Sequence, residues 1–262
     1  MMTPDSSIGI GNELNRILQN AFGTAFVQGE LAQLTHSSYE NSVVGIDSSK
    51  EETITIKYPI GYRADKQPMI SEKQYNKEEL KERFQYLAHI VLPTNGIYQL
   101  TMIIETMLGD LIRRIVSEYP DKLSPKRQIA LKDILNANSV QEIHMTVTDK
   151  LLNELSYKSP REFAEEAKIF LSINLLECTA YHSYIEMKAT RDVYIHNKGI
   201  VNETYVTKAG SHARASEGQE LPITQIYFLE VYESCLQLLE WLEVKLHGTW
   251  RSSEYEGRKK TS

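Results

Sequence analysis

The stretch NGIYQLTMIIETMLGDLIRRIVSEYP, residues 95–120, decides the fold. Ile97, Leu100, Ile104, Met107, Leu111 and Ile115 recur every three or four residues. That spacing puts them on one stripe of an α-helix, and a helix with such a stripe must bury it against others. Arg113 and Arg114 fall near its end, where cations suit the carbonyl pole of the helix.

The flanking segments carry helix-start signals of the same kind. Upstream, NKEELKERFQYLAHIVL begins with Asn76 and has Glu79 three residues later, the spacing of a capping box. Pro93 is expected to end that helix. Downstream, Ser139 with Glu142 opens SVQEIHMTVTDKLLNEL, and Ser159 with Glu162 opens a third, with Pro160 at the first helical position. Asn174 with Glu177 predicts a further start, so that residues 160–198 divide near SIN. The last long helix is expected from Thr224 to about His247, with Leu229, Tyr232, Leu236, Leu239 and Leu246 on its apolar side and Gly248 stopping it.

The N-terminal third reads differently. IGNELNRILQNAF has a weak helical period, and TITIKYPI alternates Ile54, Ile56, Tyr58 and Ile60 with polar residues, a short strand signal. SSKEE and YRADKQP around it are loop-like. The expected organisation is an N-terminal extension over 1–75, mixed or partly flexible, an all-α bundle over 76–250, and a flexible tail over 251–262.

Composition narrows the function classes. The chain has 262 residues with 41% hydrophobic, enough for one substantial core. Its net charge of −6 argues against coating nucleic acid broadly, although a small basic cleft is compatible with it. No run of eighteen apolar residues predicts a membrane span, and the N-terminus lacks the basic and apolar regions of a secretory signal. Cys178 and Cys235 both fall in apolar helical patterns, which suits buried thiols in a reducing cytoplasm. The chain has no HExxH, no Cys-x-x-Cys and no carboxylate cluster at ligand spacing, so no metal or other cofactor is expected. His89, His144, His182 and His247 share no metal spacing, and GRKKTS at the end reads as a solvated basic tail.

The second informative stretch is ATRDVYIHNKGIVNETY, residues 189–205. Asp192 and His196 are i and i+4, neighbours on one helix face, so the carboxylate is expected to orient the imidazole. Arg191 has the reach to join the same opening, and Gly199 suits the left-handed end of the helix. A phosphate-binding cation and a group that moves protons near neutral pH thus fall together. Spacing alone is weak, since Arg-x4-His recurs by chance and a helix-terminal histidine often only faces water.

RDVYIHNKGIVNETY resembles the signature of the HEPN superfamily (higher eukaryotes and prokaryotes nucleotide-binding), an all-α group with many ribonucleases. The signature is an Arg, then Asn, Asp or His, three more residues, and a His; here these are Arg191, Asp192 and His196. Asn197, Gly199, Val201, Asn202 and Tyr205 continue as in one subgroup. The likeness extends over roughly 90–247, and the commonest residue after the Arg is Asn rather than Asp. The resemblance implies a HEPN-like bundle that cleaves RNA without metal. The ribose 2′-hydroxyl attacks phosphorus, His196 serves as acid or base, Arg191 stabilises phosphoryl charge, and Asp192 orients His196. It also implies a homodimer with two motifs on one cleft and a cytoplasmic toxin or antiviral defence effector with an antitoxin or defence-system partner. Glu105 then reads as a partner of Arg191 or as a boundary residue. Tyr194 lines the cleft or packs in the bundle, and Asn197 contacts RNA or terminates the helix. The other reading is a catalytically silent HEPN domain used for dimerisation or binding, against which the intact Arg191 and His196 weigh.

Overall fold

The computed structural model describes residues 4–124 and 128–261. The protein is mostly helical, with one small antiparallel sheet. The chain runs through α1 (Pro4–Ser48), β1 (Thr53–Tyr62), β2 (Pro68–Asn76), α2 (Lys77–Tyr86), α3 (Leu92–Glu118), α4 (Leu131–Asn136) and α5 (Val140–Ser156). It continues with α6 (Pro160–Leu171), α7 (Thr179–Asn197), α8 (Glu203–Ala209), α9 (Gln225–Thr249) and α10 (Ser253–Thr261).

The stripe on α3 is the centre of the molecule. Ile97, Leu100, Ile104, Met107, Leu111 and Ile115 are all buried. Helices α1, α5, α6, α7 and α9 pack around α3. Gly96 sets the approach of α9, since a Cβ there would collide with the ring of Phe228. On α9 the expected Leu239 and Leu246 are buried and Tyr232 and Leu236 pack against the core, the buried face also takes in Tyr227, Phe228, Val231, Cys235, Leu238 and Leu242, and Leu229 is exposed. Gly248 lies inside that helix, which runs on to Thr249. Both cysteines are buried free thiols, and burial raises Cys235 to about 12.

Helix α1 corrects the expected N-terminal extension. Ile10, Leu14, Leu18, Ala21, Ala25 and Ala32 enter the same core as α3 and α9, so residues 4–48 belong to the bundle. At about 1.5 Å per residue the helix is about 68 Å long, and its distal end carries the hairpin. There Ile46, Tyr75 and Leu80 form a small separate core. The expected strand is β1; its partner β2 occupies a stretch with no strand signal of its own. Residues 253–261, expected as a flexible tail, form a helix tied to α1 by Arg16 Nε with Glu254 Oε1 at 3.0 Å and Arg258 Nη2 with Asn15 Oδ1 at 2.7 Å.

Pro93 does not end its helix. A wide π turn over Leu87–Val91 joins α2 to α3, and the proline sits in the first turn of α3, where its missing N–H costs little. The resulting segment Lys77–Glu118 is apolar and long enough to cross a bilayer by length and composition. Its α3 part is the buried stripe of the bundle.

The Asn76–Glu79 and Ser159–Glu162 capping boxes both form. Ser139 caps α5, while Glu142 turns back to the N–H of Asn138. Helix α6 stops at Leu171, with Ser172 left-handed at φ 58°, and Asn174 caps a short 3₁₀ turn before α7.

Candidate active site

The site stands on the last turns of α7. This helix buries most of its surface, and Lys198 (φ 52°) and Gly199 (φ 83°) end it in the left-handed region. The following segment folds back along itself, with Leu221 N donating to Gly199 O at 2.8 Å and Val201 N to Gln219 O at 2.9 Å. Tyr194 fixes that return by donating to Leu221 O at 2.5 Å, and its ring lies against Gly199. Its hydroxyl is held up in pKa by burial, so it stays a donor. Asn197 donates from its side chain to Ile200 O at 2.5 Å, closing the turn.

Five charged side chains form a continuous chain beside this turn. Glu105 on α3 accepts from Lys188 and, at 3.1 Å, from Arg191 Nη2. Arg191 Nε lies 3.1 Å from Asp192 Oδ1. Lys208 on α8 donates to Asp192 Oδ2 at 3.3 Å. The Nε approach is an ion pair only, because the buried Nε–H has no aligned acceptor. Three cations against two carboxylates leave the cluster locally positive in an acidic chain.

His196 is exposed, and among the described residues it makes no hydrogen bond or ion pair. The expected Asp192–His196 contact is therefore absent. The reason is competition: both Asp192 oxygens face cations, Arg191 beside it and Lys208 across from it, and an ionic partner outbids a neutral imidazole for a carboxylate.

Behind the cluster lies a second set of polar groups that the sequence reading missed. Glu186 is 5% exposed. It accepts from Tyr205 at 2.7 Å, Thr190 at 2.7 Å, Arg214 Nε at 3.0 Å and Tyr227 at 2.6 Å. The Arg214 guanidinium also stacks 3.4 Å from the Tyr227 ring centre and donates to Pro222 O at 2.7 Å. Burial pushes the Tyr205 hydroxyl up to about 12, and that of Tyr227 well above its usual value, so both remain donors to Glu186. This network fastens the 199–223 return to α7, one turn before Arg191. Its signal in the sequence was a lone acidic residue, Glu186, inside the apolar run of α7.

Among the described residues no three His, Cys, Asp or Glu side chains converge as a metal site. Comparison with protein families, curated proteins and solved structures finds no match to this chain. The arrangement itself offers a guanidinium held at fixed position, two further ammonium groups, and a solvent-facing imidazole on the next turn.

Proposed function

We propose that the protein is a metal-independent endoribonuclease with a HEPN-like helical domain. The observation that carries this reading is the placing of Arg191 and His196. The first is held by Glu105 from another helix, and the second is exposed less than two helical turns further on. The two groups stand about 7.5 Å apart along the helix axis, a phosphate-binding cation and a proton-transfer group on one helix end. The 2′-oxygen bonds to phosphorus as the bond to O5′ breaks, leaving a cyclic phosphate and a 5′-hydroxyl end. The 2′ proton departs to a base and O5′ gains one from an acid, and His196 takes one of these roles. Arg191 stabilises the charge on the phosphoryl oxygens, with Lys188 and Lys208 adding to the local field. By its resemblance the protein is a toxin or antiviral defence effector of the cytoplasm, a homodimer restrained by a partner protein. Ile195 and Ile200, both exposed and within four residues of His196 in the chain, support an interface at the motif.

The silent binding module is the second reading. It is favoured by the pairing of Arg191 with two carboxylates and by the lack of any group orienting His196.

The deciding experiment incubates pure protein with total RNA in EDTA. Cleavage is expected, with cyclic-phosphate products, resistance of substrates carrying 2′-deoxyribose at the scissile position, and loss in His196→Ala. No cleavage by the wild type, or activity that needs added Mg²⁺, overturns the reading.

A further inference from the structure

Beside Arg191 a cavity of about 430 Å³ opens between α3, α5, α6 and α7. That volume falls in the range of small-ligand sites, roughly 300–1,000 Å³. Leu108, Leu152, Phe163 and Tyr184 supply one apolar and aromatic side, and the charged groups of Glu105, Asp110, Arg113, Lys158, Lys188 and Arg191 line the rest. Tyr184 is only 4% exposed, yet no hydrogen bond of its hydroxyl occurs among the described contacts. A hydroxyl on a cavity wall with no protein partner is free to donate to, or accept from, whatever occupies the space. Such a group on the wall marks a place for a polar edge beside the apolar side of the space.

We propose that this cavity is a base subsite, which takes one unstacked nucleobase of single-stranded RNA while the attached phosphate lies on Arg191. The assignment rests on the ribonuclease reading and adds where the substrate sits. A nucleobase is flat, with apolar faces and a polar rim. It therefore meets the aromatic and leucine walls with its faces, and the Tyr184 hydroxyl with its rim. Arg191 belongs both to the cavity wall and to the charged cluster, so base and phosphate of one nucleotide reach their partners together. His196 follows five residues later, about 7.5 Å along the helix axis. A base in a duplex is stacked and has its edge occupied, so only unpaired nucleotides enter.

Two substitutions separate this subsite from the catalytic groups. Gly109 lines the cavity, and a Cβ built there meets nothing within 4 Å. Gly109→Phe therefore fills the space from α3 and leaves the Arg191 and His196 side chains themselves unaltered. Tyr184→Phe removes one oxygen and keeps the packing, so it reports even if the larger change perturbs folding. The substrate is one RNA hairpin with a long paired stem and a loop containing all four nucleotides, with cleavage positions and rates mapped at the ends. Wild type is expected to cut only in the loop and to favour one nucleotide. Gly109→Phe is expected to lower kcat/KM on the order of ten- to a hundredfold, the scale of losing one base stack. Tyr184→Phe is expected to keep cutting the loop with altered nucleotide preference. Equal cutting of stem and loop by the wild type overturns the subsite. So does Tyr184→Phe with an unchanged cleavage pattern, or folded Gly109→Phe at wild-type rate. These results leave His196 and Arg191 standing as the reacting groups, whereas a wild type that cuts no RNA defeats the ribonuclease reading along with the subsite.

Discussion

Glu105 on α3 and Arg191 on α7 are 86 residues apart in the chain and meet at 3.1 Å between Oε1 and Nη2. The contact joins the central core helix to the helix that carries the motif. It fixes where the guanidinium points, and it draws on part of the charge that a phosphate would use. Both effects follow from one carboxylate.

Replacing Glu105 by Gln keeps a hydrogen-bond acceptor and removes the charge. RNA cleavage by Glu105→Gln is expected to fall roughly tenfold, within the range of coupling between contacting residues. In Arg191→Ala the same replacement should cost nothing further. A double-mutant cycle on kcat/KM checks this, and additive losses would show that Glu105 acts on something other than Arg191.

Asp192→Asn tests the pairing that replaced the expected one. A carboxylate that holds a catalytic histidine costs on the order of 10⁴-fold in kcat when it becomes an amide. Asp192 instead faces Arg191 and Lys208. The amide should therefore leave kcat within about threefold, a surface-scale effect, and tighten RNA binding by freeing positive charge. A collapse of kcat would mean that Asp192 turns to His196 when substrate binds.

The bundle was legible where periodicity and caps agreed. The α3 stripe needed only its i, i+3, i+4 spacing, and Asn76, Ser159 and Thr224 each start a helix where their side-chain oxygens point. Helix α1 was obscured because its distal half buries almost nothing, so Phe26, Leu31 and Leu34 stand exposed and blur the period. Strand β2 has seven consecutive exposed residues at its start and takes its shape from pairing with β1, which local sequence does not record. In the site, Arg191, His196 and Glu105 stood out, while Lys208 did not. Its nearness to Asp192 depends on how the chain returns after Gly199, a tertiary fact.

Glu186 holds together four donors from three helices and the 210–223 segment. Glu186→Ala would leave the Arg214 guanidinium without its partner at a largely buried position. Breaking such a pair from one side costs about 3 kcal/mol or more. Urea unfolding should show that loss, and Glu186→Gln a smaller one. A change near zero would mean that the network relaxes into water.

Acid should weaken the protein partly through two carboxylates. Hydrogen bonds from the Ser159 side chain and backbone lower the pKa of Glu162, and the Arg16 guanidinium lowers that of Glu254. A depressed folded pKa gives stability that is complete above the ordinary value of 4.5 and lost as pH falls through the folded value. Thermal unfolding between neutral pH and pH 3 should therefore steepen below about 4.5. Glu162→Gln should flatten part of that slope, and an unchanged slope would assign it to other groups.

The assembly prediction concerns the surface beside His196. Ile195 is 52% exposed and Ile200 40% exposed, one residue before and four residues after His196 in the chain. Two copies joined there bring two Arg191 groups towards one opening and raise the local positive potential, which an acidic chain needs to hold RNA. The protein is expected to sediment as a dimer at micromolar concentration. Ile195→Asp places a charge where the partner's apolar surface would lie, so it should give a folded monomer and reduce RNA cleavage, with any fall in melting limited to the loss of association. Activity should rise with protein concentration in the variant and stay constant per chain in the wild type. A wild type that sediments as a monomer with full activity would show that one copy of Arg191 and His196 suffices.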